Sequence, residues 1–240
     1  MPNGLKNLCN LRNLRIGTMK SAGIYIHIPF CRSRCSYCDF ATGMYSAAMA
    51  ERYVLSLVNE IRSWREVEPP ATVDTIYFGG GTPSLLSPAQ LETLLKAVSK
   101  RFTVLDNAEV TIEINPGTVT PETLAAFRAL GVNRASFGAQ TFDDGELARL
   151  GRSHTADETR RTFRYLRDAG FDNISFDLIA GLPGQTMAGW RRTSLKRFPC
   201  GRNTCLSICW RFTREHRWPN TFARVFSPSP MKTLPQTCMK

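Results

Sequence analysis

YIHIPFCRSRCSYCDF, residues 25–40, sets Cys31, Cys35 and Cys38 in one short loop directly behind an apolar, β-branched run. Three thiols at CxxxCxxC spacing on one loop can converge on metal. A structural zinc wants a fourth protein ligand, usually from a second CxxC or a His pair. His27 is too close along the strand to be an obvious candidate. The better reading is an iron–sulfur cluster with three irons held by thiolates and one left open. The missing fourth thiol is then the purpose of the loop, because an open iron can take a substrate or a cofactor.

Outward from that loop the chain alternates strand and helix patterns. Gly23–Ile28 reads as the strand that feeds the cysteines, and Ser46–Arg65 carries Val54, Leu57, Val58 and Ile61 at helical spacing. Thr75–Phe78 is a second strand running into Gly79-Gly80-Gly81. Pro88–Phe102 is a helix with Ser87 as N-cap and Pro88 at its first position. Ala108–Ile114 is a third strand; a helix opened by Thr120-Pro121-Glu122-Thr123 is closed by Gly131. Arg134–Phe137, the helix Thr155–Ala169 stopped by Gly170, and the strand Asn173–Ile179 follow. Repeated strand–helix units predict an α/β fold, a parallel sheet covered by helices, and five units in this length fit a partial (β/α) barrel. In such barrels chemistry sits on the loops after the strands. There lie the cysteines, the glycines, Glu113, Gln140 and Asp177.

The 240 residues suffice for one sizeable domain, and no run is apolar enough to span a membrane. Eight cysteines without a secretory signal argue for a reducing compartment and predict a cytoplasmic protein. The net charge of +11 suggests a nucleic-acid binder until its distribution is seen: residues 191–240 hold 11 of the 31 Lys and Arg and one acid, Glu215. The basicity belongs to the tail, so nucleic acid is not an expected partner.

CxxxCxxC after the first strand of a partial barrel resembles the radical S-adenosylmethionine (SAM) superfamily. Five further stretches narrow the likeness: IYFGGGTPSLL, TIEINP, SFGAQTFDD, LGRSHTADE and ISFDLIAGLPGQT, all in order. Together they resemble the oxygen-independent coproporphyrinogen III oxidase family (HemN) and its haem-chaperone relatives (HemW), over roughly Ala22–Trp190. The resemblance implies a 4Fe–4S cluster held by Cys31, Cys35 and Cys38, whose open iron chelates SAM and, once reduced by a partner, splits it to a 5′-deoxyadenosyl radical. It implies that Tyr25, Tyr37, Gly80, Gly81, Thr82 and Glu113 contact SAM, and that Gln140, Arg152 and Asp177 match positions holding a second SAM in the oxidase branch. Tyr37 packs on adenine or else simply covers the barrel end. Asp177 is a ligand or else a satisfied structural acid.

Two features bear on function. The oxidase branch typically has a further cysteine two residues after the third; here that position is Phe40 in CSYCDF. This favours the chaperone branch, which binds haem as cargo and passes it to apoproteins. The alternative is radical decarboxylation of a porphyrinogen's propionates, or a non-functional remnant. After Trp190 the resemblance stops, and residues 191–240 are expected to be a basic, disordered tail, out of frame. A permissible back-translation of Cys209–Glu215, read from its third base, gives a strand-and-loop string of the family type. Cys200, Cys205 and Cys209 are otherwise candidates for a second cluster. Residues 1–21 lie outside the barrel (22–190), with Met19 as an alternative start. A barrel that ends after its fifth strand, without its last units or a C-terminal domain, would expose an open edge, and poor stability is expected.

Overall fold

The computed structural model describes residues 21–64, 72–194 and, as backbone, 204–210. Its strands are β1 (Ser21–Ile28), β2 (Phe30–Cys31), β3 (Gly43–Met44), β4 (Thr72–Gly80), β5 (Val104–Ile114), β6 (Arg134–Gln140), β7 (Asn173–Ala180) and β8 (Thr204–Trp210). Its α-helices are α1 (Ala47–Ser63), α2 (Pro88–Arg101), α3 (Pro121–Ala129), α4 (Asp144–Arg149), α5 (Ala156–Asp168) and α6 (Met187–Ser194). A 3₁₀ turn covers Pro83–Leu85.

Six strands form one parallel sheet in the order β1-β4-β5-β6-β7-β8. Neighbours in space follow one another in the chain, with no point at which the order reverses. That is the winding of a barrel rather than of an open doubly wound sheet. Among the described residues β1 and β8 do not pair, so the barrel is partial. β2 and β3 pair separately and pin the start of the cysteine loop to its end, with the Tyr45 N–H donating to the Cys31 carbonyl at 2.9 Å.

Three of the helices, α2, α3 and α5, form where the sequence carries both a start signal and an apolar stripe. Ser87 and Gln90 close a reciprocal capping box on α2; Thr155 and Glu158 do the same on α5. Thr120 caps α3, with Pro121 at its first position. α3 and α5 both end in the paired reverse bonds of a Schellman turn: Val132 N–H to Phe127 and Gly131 N–H to Arg128, then Phe171 N–H to Leu166 and Gly170 N–H to Arg167. The core lies between the helices and the outer face of the sheet. Ile26, Ile28, Ile76, Phe78, Val110, Ile112, Ile114, Phe137, Phe176 and Leu178 meet Val54, Leu91, Leu94, Leu124, Phe127 and Phe163 there.

Sheets buried on both faces read as continuous apolar runs. Here the strands alternate instead. Between the outward residues stand Tyr25, His27, Tyr77, Thr111, Glu113, Arg134, Ser136, Ser175 and Asp177. Closed barrels usually fill the interior with layers of branched apolar residues; this one is lined with hydroxyls, carboxylates, an imidazole and a guanidinium. The inner face of the sheet is polar.

The strand series runs one strand further than the sequence reading carried it. Thr204–Trp210, inside the stretch read as a tail, pairs in parallel with β7 from Ile174↔Thr204 to Ala180↔Trp210. β7 therefore is not the open edge. The physical reason is that β7 offers a row of free N–H and C=O groups, and TCLSICW has the Thr, Ile and Trp content of a strand. Cys205 and Cys209 fall in this strand, opposite Ser175 and Ile179. Met19, Cys200 and the tail after Trp210 lie outside the described residues.

Candidate functional site: the cysteine loop and the strand ends

The three cysteines leave the end of β1 and arch over the ends of the neighbouring strands. Besides the β2–β3 pairing, two sets of bonds away from the thiols hold the arch. Ser36 N–H donates to the Leu150 carbonyl at 3.0 Å and its Oγ to the Arg149 carbonyl at 3.3 Å, which docks the loop on the end of α4. The His27 ring bridges the Tyr25 hydroxyl at 3.3 Å and the Ala41 carbonyl at 3.2 Å, joining the strand to the far side of the loop.

Glycines let β4 approach this arch. Gly80 sits at φ +114°, a conformation that side chains with a Cβ resist. A Cβ at Gly81 would lie 2.7 Å from the Phe30 carbonyl oxygen and 3.0 Å from Cys31 Sγ. The sequence reading gave these glycines to SAM; the structure adds that the cysteine loop itself needs them. Next in the chain, buried Thr82 donates its hydroxyl to Cys31 Sγ at 3.5 Å.

The residues expected from the sequence fall into three groups. Around the thiols stand Tyr37, Gly81, Thr82 and Arg152. The Arg152 guanidinium donates to Cys35 Sγ at 3.6 Å, to Asn115 Oδ1 at 3.1 Å and to the Gly138 carbonyl. Gln140 takes φ +64° at the strand end, and its amide nitrogen lies 3.1 Å from where a Cβ on Gly138 would stand. Tyr37 packs on Leu150, Ile179 and Leu182 and bonds Cys35. Burial pushes its phenol above the usual range; Arg152 opposes this and Cys35 and Cys38 add to it. The Cys38 thiol is also pushed up, first by burial, and then by Cys35 and Cys31 after the Phe40 N–H works against it.

The second group lies one strand over. Tyr25 stacks on Tyr77 with ring centroids 5.8 Å apart. The Tyr77 hydroxyl donates to Glu113 Oε1 at 2.7 Å, and the Gly80 N–H to Oε2 at 3.1 Å. Glu113 is thus held by β4 at the strand ends, and Tyr25 is more than half exposed. The third group is deeper. Asp177 accepts from Ser136 at 3.4 Å, and Ser136, Ser175, Arg134, Thr111 and Glu109 continue the chain of bonds across β5, β6 and β7. Asp177 therefore joins a hydrogen-bonded network on the inner face of the sheet.

Sequence reasoning passed over His27 as a ligand and did not single out Asn115 or His154. Asn115 was within reach: it stands two residues after Glu113, so strand parity puts both on one face. His154 lies in LGRSHTADE, just before α5, but nothing local in that stretch signals that the fold buries it.

These elements match the radical SAM superfamily model over residues 25–194, and the chain belongs to that superfamily. It is 43% identical over 168 residues to the haem chaperone HemW of Lactococcus lactis, covering 70% of this chain and 43% of that protein. It is 39% identical over 170 residues to the oxygen-independent coproporphyrinogen III oxidase of Bradyrhizobium diazoefficiens, covering 70% and 38%. Among solved structures it is similar to coproporphyrinogen III oxidase (HemN) from Escherichia coli, a radical SAM enzyme, with a TM-score of 0.68 at 27% identity over 80% of this chain and 44% of that one. The chain spans less than half the length of each of these relatives. No helix among the described residues is long and apolar enough to cross a membrane.

The family implies a 4Fe–4S cluster and SAM, and the residues present fit them. Three thiols share one loop, and Cys31 and Cys35 each act on Cys38. Among the described residues no three His, Cys, Asp or Glu side chains are gathered tightly enough to share one ion; a cubane asks for less, since each thiolate takes a different iron. Arg152 Nε is buried beside the thiols with no partner. A buried donor left unmade costs about 1–3 kcal/mol, and an anionic cluster or a carboxylate would satisfy it.

Proposed function

We propose that this chain is the cluster- and SAM-binding barrel of a haem chaperone of the HemW type, which carries haem to an apoprotein in the cytoplasm. Phe40 carries the reading. The oxidase branch typically places a further cysteine there, and here an apolar ring, 42% exposed, occupies the position. Identity to the Lactococcus lactis chaperone supports it.

In this reading Cys31, Cys35 and Cys38 hold three irons of the cluster. Once bound there, the cluster and SAM would supply reductive cleavage of a carbon–sulfur bond at the sulfonium, with the electron coming from outside the chain. The chain's own residues do the holding. Gly80 and Gly81 admit the backbone edge of β4 to the cofactor. Glu113, fixed by Tyr77 and Gly80, offers carboxylate lone pairs to the SAM hydroxyls or amine. Tyr25 and Tyr37 bound the site on two sides, and Gln140, Arg152 and Asp177 line the β6–β7 side, where a second SAM or the cargo is held. An external reductant supplies the electron.

The second reading is the oxidase reaction on a porphyrinogen, favoured by the likeness to the Bradyrhizobium protein and to the E. coli structure. Anaerobic assays separate the two. The chaperone reading predicts stoichiometric haem binding and no SAM-dependent conversion of coproporphyrinogen III. Turnover to the divinyl product with consumption of SAM contradicts it.

A further inference from the structure

Two of the three thiols are joined by an arc of hydrogen bonds that runs behind them through Asn115, the asparagine of TIEINP. Cys31 Sγ accepts from Thr82 Oγ1 at 3.5 Å. Thr82 Oγ1 accepts from Asn115 Nδ2 at 2.9 Å. Asn115 Oδ1 accepts from Arg152 Nη2 at 3.1 Å, and Arg152 Nη1 donates to Cys35 Sγ at 3.6 Å. We infer that Asn115 is the keystone of this arc, and that through Thr82 and Arg152 it sets the reduction potential of the cluster held by the cysteine loop.

The inference rests on the cluster reading above and deepens it. An amide is the side chain this position needs. The guanidinium has donors only, so it fixes Oδ1 on its own side and turns Nδ2 to Thr82. Thr82, already accepting from that N–H, is left with its own proton to donate, and it spends it on Cys31. The direction of every bond in the arc thus follows from one charged group at its end. Thr82 is 3% exposed, so water does not compete for its hydroxyl. Gly138 leaves the room: a Cβ there would stand 2.8 Å from Arg152 Nη2 and 3.1 Å from Asn115 Oδ1. Donors to cluster sulfurs, and a cation beside them, favour the reduced and more negative state. The arc supplies one hydroxyl donor to Cys31 and one guanidinium donor to Cys35, and Asn115 orients both. It is a positioning residue and touches neither thiol.

The test is an anaerobic redox titration of the reconstituted full chain, followed by electron paramagnetic resonance, with iron and sulfide counted per chain. Thr82→Val removes only the hydroxyl; Arg152→Met removes the guanidinium; Asn115→Leu and Asn115→Asp break the keystone. In the Asp variant the Thr82 hydroxyl turns to the new carboxylate and leaves Cys31. Each change is expected to shift the midpoint potential downward with the cluster still bound, and Asn115→Leu by more than Thr82→Val. Adding Thr82→Val to Asn115→Leu is expected to shift it less than Thr82→Val does alone. Wild-type potentials in Thr82→Val and Arg152→Met overturn the inference, even if the Asn115 variants fail to fold. A wild-type chain that takes up no cluster overturns the cluster reading and this inference together; a wild-type cluster whose potential no variant moves overturns only the inference.

Discussion

Gly81 shows how a single missing methyl holds the site together. It lies where β4 meets the cysteine loop, its amide bonded to the Ile28 carbonyl at 2.8 Å. Gly81→Ala drives a Cβ into Phe30 backbone, which cannot step aside as a flexible side chain would. We expect a loss of about 1–3 kcal/mol in urea unfolding of the apoprotein and a sharp fall in iron bound per chain. His154 makes a prediction of a different kind. It is buried, donates to the Ala139 backbone, and its Nε2 has no partner. Burial first, then Arg152, lowers its pKa to about 4. The unfolded chain titrates near the ordinary value of 6.5. At neutral pH the ring is uncharged in both states and costs nothing. As pH falls through 6.5 the unfolded state takes up the proton and the folded state does not, so stability drops until about pH 4. The loss reaches roughly 3 kcal/mol. His154→Gln should flatten the stability profile across that window; an unchanged slope would contradict the assignment.

The elements were legible wherever a local signal coincided with a tertiary need. Ser87-Pro88 and Thr155–Glu158 announce helix starts by chemistry that the fold then uses without change. Thr155→Ala removes the acceptor for the Glu158 N–H and should cost about 1 kcal/mol in thermal or urea unfolding, with no change in cluster content, since α5 packs away from the thiols. Strands were found but drawn short. β5 begins at Val104 rather than Ala108, because Leu105, Asp106 and Asn107 are exposed there and carry no alternation to read. α4 was not seen: six residues opened by Asp143 give too few turns for a period, yet this helix carries the carbonyls that dock Ser36. β2 and β3 are two residues each and exist only because the loop folds back on itself. β8 was missed because its partner, β7, is supplied by the fold and not by its own neighbours in sequence.

At the scale of the molecule, the sequence predicts a partial barrel and the structure explains why its inner face is polar. Alternation on β4–β7 sends apolar side chains to the helices and hydroxyls, acids and Arg134 inward. That pattern is visible in TIEI and SFDL once a parallel sheet is assumed. The three thiols, the glycines and Glu113 were legible as a site because all end strands on one side. The outer arc through Asn115 was not, since its bonds connect residues 33 and 37 positions apart. We propose that the cysteine loop holds a cluster with one iron open to SAM. Electron paramagnetic resonance of the anaerobically reconstituted, dithionite-reduced chain, recorded with and without SAM, tests it most directly. We expect a reduced-cluster signal that changes on adding SAM, and no such signal when Cys31, Cys35 and Cys38 are together replaced by Ser. A chain that forms no cluster, or a cluster signal indifferent to SAM, contradicts it.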